Sequence, residues 1–123
     1  MAAAPYEKLR IWQESHRLAL DVYKLSSCLP KEETYGLRSQ MRRAACSVAF
    51  NIAEGVGRGT YNELRRFLRI ARGSAMEVSC QTRIARDLRY LPQPEANQLI
   101  TAYNGLSAGI ARYMKKMVIR YPS

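Results

Sequence analysis

The chain has 123 residues, enough for one domain with its own hydrophobic core, and we take 1–123 as a single domain. Its composition, 47% hydrophobic and 24% charged, is typical of globular proteins, and no apolar run reaches the roughly 18–20 residues of a membrane span. The lack of a signal-peptide pattern and an odd set of three cysteines favour a cytoplasmic protein with reduced thiols. A single histidine excludes most metal sites and histidine-based triads. The unusual property is a net charge of +10.

In chain order, four helices are predicted near 6–28, 34–54, 60–90 and 95–120. Helix-breaking residues cluster at only three places, at 29–31, 55–59 and 91–94, and no segment between them alternates polar and apolar residues as a strand does. Each predicted helix has an apolar stripe at spacings of three and four residues. The short connections predict an all-α protein, an antiparallel up-down-up-down four-helix bundle.

Local signals support the helix boundaries. Thr60 and Glu63 have the spacing of a capping box at the start of helix three, and Pro94 suits the first turn of helix four. Helix one carries charges of alternating sign three and four residues apart, which predicts side chains that pair on a solvated outer wall. These charged residues are Glu7, Arg10, Glu14, Arg17, Asp21 and Lys24.

Helix three carries a one-sided row of arginines beside its core stripe, within an arc of about 100° at the helical period. We call this the arginine row: Arg65, Arg69, Arg72, Arg83 and Arg86. Arg38 and Arg42 form a second cluster on helix two. Residues 38–89 hold eleven arginines and four acids, so seven of the ten net positive charges lie in this segment.

The arginine row calls for a partner, because neighbouring guanidinium groups repel each other. Phosphates spaced along a nucleic-acid backbone would relieve this repulsion. Arginine suits such a ligand because its guanidinium forms bidentate hydrogen bonds to phosphate and stacks on bases. We therefore predict nucleic-acid binding by the arginine row with Arg38 and Arg42. An acidic protein or neighbouring subunit, or plain solvation, is the alternative.

The glycine-containing segment 51–59 ends helix two. Gly55 suits a left-handed cap position, and a phosphate-binding loop is excluded because no strand precedes the glycines and no Gly-Lys-Ser/Thr follows them. Glu54 opposes the helix dipole at this end, so it needs a cationic partner, either Arg58 or an arginine of helix three.

Polar residues on one flank of helices two and three predict a seam between helices or between subunits, and Phe50 points away from the core stripe. The candidate interface or seam residues are Phe50, Asn51, Glu54, Arg58 and Glu77. A paired-carboxylate active site from Glu54 and Glu77 is the catalytic alternative, but a second histidine, a metal set and an activated nucleophile are all missing. We predict no enzyme activity, no catalytic residue, no metal ligand and no cofactor.

Three stretches resemble a known family. They are Tyr-Gly-Leu-Arg-Ser-Gln-Met-Arg-Arg-Ala-Ala at 35–45, Asn-Ile-Ala-Glu-Gly at 51–55, and Phe-Leu-Arg-Ile-Ala-Arg-Gly-Ser at 67–74 with Glu77 following. The pattern is similar to the four-helix bundle proteins, also called 23S rRNA-intervening-sequence proteins. This chain has Ala49 where many members have proline, so helix two is expected to run straighter.

The resemblance implies a bacterial, cytosolic bundle that is often a homopentamer. It also implies a relation to the accessory variability protein of diversity-generating retroelements, a basic pentamer that binds nucleic acid and its reverse transcriptase. We therefore predict a basic, non-enzymatic, homo-oligomeric ring that binds nucleic acid, with RNA favoured by the resemblance alone. The alternative is an oligomeric scaffold or adaptor for an acidic protein partner, with no direct nucleic-acid role. Neither prediction involves a membrane.

Overall fold

Four long helices account for most of the chain, and there is no strand among residues 4–120, the part that the computed structural model describes. They are α1 (Arg10–Ser26), α2 (Leu37–Gly57), α3 (Tyr61–Asp87) and α4 (Gln93–Arg120). Short 3-10 turns at Pro5–Lys8 and Lys31–Glu33 precede α1 and α2. The four predicted helices are confirmed, and the largest difference is at the start of α1, at residue 10 instead of 6. The outermost residues of the predicted domain, 1–3 and 121–123, lie outside the described part.

The predicted apolar stripes form the core. The fully buried large side chains include Leu18 and Val22 of α1, Met41, Val48 and Ile52 of α2, Leu68 and Val78 of α3, and Tyr103 and Ile110 of α4. Burial of apolar area at about 25 cal/mol per Å² is the main favourable contribution to folding. Tyr23 of α1 lies outside this core and is 43% exposed. Among residues 4–120, no helix combines the length and hydrophobicity needed to cross a bilayer.

The junction of α2 and α3 differs from the sequence prediction. Gly55 was predicted as a left-handed cap, but it lies inside α2, which continues to Gly57 and has Arg58 as its cap residue. A Cβ at Gly55 would lie 2.9 Å from the Cβ of Phe67, so the glycine serves the close approach of α3. The left-handed residue is Gly59, with φ of 80°. Glycine is suited to this conformation because it has no Cβ to clash.

The ends of α3 show why it begins and stops where it does. The Thr60 hydroxyl accepts a hydrogen bond from the Glu63 backbone N–H at 3.3 Å, which confirms the N-terminal cap. At the other end, Arg89 has φ of 65°, and the Tyr90 N–H donates back to the Ala85 carbonyl at 2.9 Å. Such a left-handed residue closes a helix by satisfying its last carbonyls.

Polar contacts fix the helices relative to one another. The hydroxyls of Ser47 and Ser74 are 2.8 Å apart between α2 and α3, and the Ser79 hydroxyl donates to Asn104 at 2.8 Å between α3 and α4. Partly buried hydrogen bonds of this kind fix which faces meet, because a mismatch would leave polar groups unsatisfied. As a result, the arginine-bearing flank of α3 is held next to α4.

Candidate nucleic-acid interface

Four members of the arginine row are free to meet a partner from outside the chain. Arg69, Arg72 and Arg83 are exposed and Arg65 is half-buried. No carboxylate within residues 4–120 forms an ion pair with any of them. They share one flank of α3 over 18 residues, or about 27 Å at 1.5 Å per residue. Here the sequence prediction and the structure place the same side chains together.

The row has two parts. Arg65, Arg69 and Arg72 follow one another at spacings of four and three residues, so they lie on adjacent turns. Arg83 stands eleven residues further on, about 16 Å along the helix. Met76 lies between the two parts and is 42% exposed. The surface is therefore a cluster of three cations and a separate fourth, with an apolar side chain between them.

Arg86, the fifth member, is occupied within the chain. Its Nε donates to Asp87 at 2.9 Å and its Nη1 donates to Asn97 of α4 at 2.8 Å. Only 19% of its side chain is exposed. Arg86 therefore fastens α3 to α4, and we assign it a structural role at the edge of the row.

Arg38 and Arg42 are also occupied, at the end of α1. The Arg38 Nη2 donates to the Leu29 carbonyl at 2.7 Å. Arg42 donates through Nε to the Ser26 hydroxyl at 2.9 Å, through Nη2 to the Tyr23 carbonyl at 3.2 Å, and its guanidinium lies 4.8 Å from the centre of the Tyr23 ring. Arg42 binds the last turn of α1 and Arg38 binds the loop that follows it, so the predicted second cluster lies at a packed junction.

The α2–α3 flank carries the predicted polar seam. The Asn51 side-chain amide donates to the carbonyl of Ser47 at 2.7 Å, and Ser47 in turn meets Ser74. Further along, the Gln81 amide donates to Glu77 at 3.1 Å, while the Gln81 Oε1 is buried and has no partner within the described residues. The seam joins two helices of the same chain.

The other predicted seam residues lie on the outer side of this flank. Glu54 pairs with Arg58 at 3.6 Å, which confirms that this carboxylate has a nearby cation. Both side chains are about half exposed, so the pair contributes little to stability. Phe50 is 69% exposed and Ile70 of α3 is 42% exposed. Phe50 therefore points outward as predicted, and it has an apolar companion that the sequence analysis did not single out.

Two tyrosines that the sequence places near the ends of the arginine row do not extend it. Tyr61 and Tyr90 are half-buried and pack against the hydrophobic core. Helix one behaves as predicted at its centre, where Arg17 bridges Glu14 at 2.6 Å and Asp21 at 3.4 Å. The hydrogen bond with Glu14 raises the pKa of Arg17 above its ordinary value.

A second cationic region was missed by the sequence analysis. Lys8 and Arg10 meet Arg112 and Lys116 around a cleft between α1 and α4. A signal was present in the sequence, because Gly105, Gly109, Arg112 and Lys116 follow one another at helical spacing on one face of α4. In the described part of the chain, no three His, Cys, Asp or Glu side chains come together as a metal site would require.

Comparison with known proteins agrees with this architecture. The structure of a protein of unknown function from the S23 ribosomal protein family of Bacteroides thetaiotaomicron matches with a TM-score of 0.79 and 16% sequence identity, over 85% of this chain and 98% of the other. That likeness shows the fold. A comparison with curated proteins finds no match. The model of the 23S rRNA-intervening sequence protein family matches residues 7–112. The chain belongs to the family of 23S rRNA-intervening sequence proteins.

Proposed function

We propose that this protein is a non-enzymatic module that binds nucleic acid through the free arginines of α3. The observation that carries the proposal is the contrast among the arginines: Arg65, Arg69, Arg72 and Arg83 have no ion-pair partner among residues 4–120, whereas Arg38, Arg42 and Arg86 are hydrogen-bonded inside the chain. Unpaired cations on one flank raise the free energy of the isolated fold by mutual repulsion. A polyanion removes that cost, and its bound counterions are released.

The geometry suits contact with a backbone. Arg65, Arg69 and Arg72 on adjacent turns meet phosphates of one strand, and Arg83 reaches another stretch of the same ligand about 16 Å away. Met76 offers an apolar surface for a base or sugar between them. Contacts of this kind follow charge and shape, so affinity depends weakly on sequence. RNA is the favoured ligand on the strength of the family's name, which refers to ribosomal RNA.

Fluorescence anisotropy with a labelled single-stranded RNA tests the proposal. Arg69→Glu/Arg72→Glu is expected to weaken binding at least tenfold for unrelated sequences alike, because two phosphate contacts become repulsive. The matched control is Arg112→Glu/Lys116→Glu, which changes the net charge equally on a different helix. It is expected to weaken binding less than threefold. Circular dichroism and light scattering must show that both variants keep the fold and mass of the wild type.

Two outcomes would contradict the proposal. Equal losses from the two variants would mean that the RNA responds only to net charge. No loss from the α3 variant would favour the alternative function, an oligomeric scaffold that uses the same row to hold an acidic protein. Competition by heparin helps to separate these cases, because a scaffold would bind RNA and heparin with the same weak affinity.

We further propose that the bundle is up-down-up-down with antiparallel neighbours, and that copies of it close into a ring, five-fold by family resemblance. The opposite order of contacts supports the topology, since Ser47 meets Ser74 while Gly55, later in α2, meets Phe67, earlier in α3. The outward Phe50 and Ile70 beside the polar seam support a subunit interface on this flank. A ring needs head-to-tail contact between two unlike surfaces.

Phe50→Glu tests the ring. The substitution places a charge in the proposed interface, so light scattering at micromolar concentration is expected to report a smaller mass for the variant than for the wild type, with unchanged helical content. A matched control is Leu20→Glu, because Leu20 is also exposed, at 53%, but lies on α1. A monomeric wild type contradicts the ring, and an unchanged mass for Phe50→Glu places the interface elsewhere.

A further inference from the structure

The flank between α1 and α4 is open, in contrast to the packed α2–α3 and α3–α4 flanks. Two clefts occupy it, of about 560 and 650 Å³, and Ala102 lines both. The first has Leu18, Leu25 and Leu99 among its lining residues. Together the clefts form one groove, which we call the α1–α4 groove. Leu18 and Leu99 are buried beneath the groove, and its partly exposed apolar floor is formed by the half-buried Ile11, Leu25, Ala102 and Tyr113.

Two glycines in the middle of α4 deepen the groove. A Cβ at Gly105 would meet nothing within 4 Å, and one at Gly109 would lie 3.6 Å from the Arg112 guanidinium. Glycine inside a helix is unfavourable relative to alanine. No atom of the described chain requires glycine at Gly105, so its bare surface leaves room for a close approach from outside.

One end of the α1–α4 groove is strongly cationic. Lys8, Arg10, Arg112 and Lys116 are exposed around the 650 Å³ cleft, and none of them has an ion-pair partner within the described residues. Among the described residues that line this cleft, Glu14 is the one carboxylate, and Arg17 already binds it at 2.6 Å. The other end is balanced, since Arg17 and Lys24 there accompany Asp21 and Glu95. The groove therefore combines an apolar floor with positive charge at one end.

This combination selects the kind of partner. A nucleic-acid backbone lacks the continuous apolar face that would cover the apolar floor. The flank assigned above to the subunit contact carries Glu54 and Glu77, which already bind Arg58 and Gln81, so a second copy docked through it would leave the groove cations unneutralised. An amphipathic helix with an apolar stripe and carboxylates at one end would cover the floor and neutralise the cations. Helices commonly dock into such grooves between two helices through residues at spacings of three and four.

We propose that the α1–α4 groove binds an acidic amphipathic helix of a partner protein, with the carboxylates at the end lined by Arg10, Arg112 and Lys116. The site is separate from the arginine row, because α3 meets α4 through Asn97 and Asn104, whereas Gly105, Gly109 and Arg112 line the groove. The proposal does not depend on nucleic-acid binding. It gives this small protein a second, independent surface.

The probe is a fluorescein-labelled 18-residue helical peptide with leucines at spacings of three and four and glutamates in its other positions at one end. Its control is the same peptide with glutamine for every glutamate. The wild-type protein is expected to bind the acidic peptide at least tenfold more tightly than the control in an anisotropy titration. Equal binding of the two peptides would overturn the proposal.

Two protein variants locate the site. Gly105→Leu fills the groove floor while improving helix propensity, so the variant should be at least as thermally stable as the wild type but bind the acidic peptide at least tenfold more weakly. Gly73→Leu is the matched control on α3, because a Cβ there also meets nothing within 4 Å, and its peptide affinity should stay within twofold of wild type.

Charge reversal completes the test. Arg112→Glu/Lys116→Glu is expected to weaken the acidic peptide at least tenfold, and Arg69→Glu/Arg72→Glu, with the same change in net charge, less than threefold. Equal effects of the two pairs would show that only net charge attracts the peptide, and the site assignment would fail. A lower oligomer mass for Gly105→Leu, with unchanged peptide affinity, would show that a second copy of the chain occupies the groove. That result would overturn the proposal.

Discussion

Arg38 and Arg42 of α2 bind the end of α1 and its loop, whereas most arginines along α3 point to solvent without an ion-pair partner among the described residues. Arg42 makes hydrogen bonds to three groups of α1 and its loop, and a ring contact with Tyr23. Arg69 and Arg72 are exposed and have no ion-pair partner among the described residues. The positive charge of a segment is thus a poor guide to its binding surface until the internal uses of each cation are known.

The difference follows from how α1 ends. The last three carbonyls of α1 are satisfied locally, because the backbone N–H groups of Ser27, Cys28 and Leu29 donate to Lys24, Leu25 and Ser26. Two arginines one turn apart at the start of α2 add side-chain donors: Arg42 binds the Tyr23 carbonyl in the last turn, and Arg38 binds the Leu29 carbonyl in the loop that follows. The flank of α3 differs because it faces no such chain end: among the described residues, Arg86 alone of the row is hydrogen-bonded across to another helix, and Arg65, Arg69, Arg72 and Arg83 remain without an ion-pair partner.

The largest stability effect is expected from Arg42→Ala. The variant loses donors to Ser26, Ser27 and the Tyr23 carbonyl, and we expect the free energy of unfolding to fall by about 2 kcal/mol, since hydrogen bonds from a charged donor are each worth about 1.5–3 kcal/mol and these are partly exposed. Urea unfolding followed by circular dichroism measures it. A loss below about 0.5 kcal/mol would mean that Arg42 is as free as the arginines of α3.

Tyr103→Phe extends the comparison to a buried polar group that forms no hydrogen bond within the described residues. The Tyr103 hydroxyl has no hydrogen-bond partner among the described residues, so its removal is expected to raise the free energy of unfolding by about 1 kcal/mol, the lower end of the cost of a buried unsatisfied group. Thermal unfolding at neutral pH checks the sign. A destabilised variant would show that the hydroxyl has a partner, such as a buried water.

The same substitution carries a pH signature. Burial raises the pKa of Tyr103 well above its ordinary value, whereas in the unfolded chain the phenol ionises near pH 10. Above about pH 10 the unfolded state loses a proton that the folded state keeps, so this residue lowers stability as the pH rises. The wild type should therefore lose stability faster than Tyr103→Phe between about pH 9 and 11. Parallel pH profiles would contradict this.

The smallest stability effect is expected from Arg72→Ala. An exposed side chain without a partner contributes little, so the change should lie within about 0.5 kcal/mol of zero, and relief of repulsion with Arg69 favours a slight gain. Urea unfolding in parallel with Arg42→Ala measures the contrast directly. Comparable losses from the two variants would remove the distinction between structural and free arginines.

The helical period predicts the parts of the molecule that depend on local spacing. It places the four helices, their core stripes, the Thr60 cap and the shared flank of Arg65, Arg69, Arg72 and Arg83. It cannot show that Arg38 and Arg42 meet α1, because that depends on which helices become neighbours. The same holds for Gly55, whose role comes from the approach of Phe67 across the bundle. The spacing also places Gly105, Gly109, Arg112 and Lys116 on one face of α4, but it cannot show that this face meets α1 to form the α1–α4 groove.

The salt dependence of RNA affinity tests the central claim most directly, because it counts the phosphates that the protein neutralises. For single-stranded RNA the slope of log K against log salt is about −0.7 per phosphate contact. Replacing Arg69 and Arg72 by alanine should therefore make the slope less negative by about 1.4, while replacing Arg112 and Lys116 by alanine should leave it unchanged. An unchanged slope for the α3 variant would contradict the assignment of the free arginines to nucleic acid.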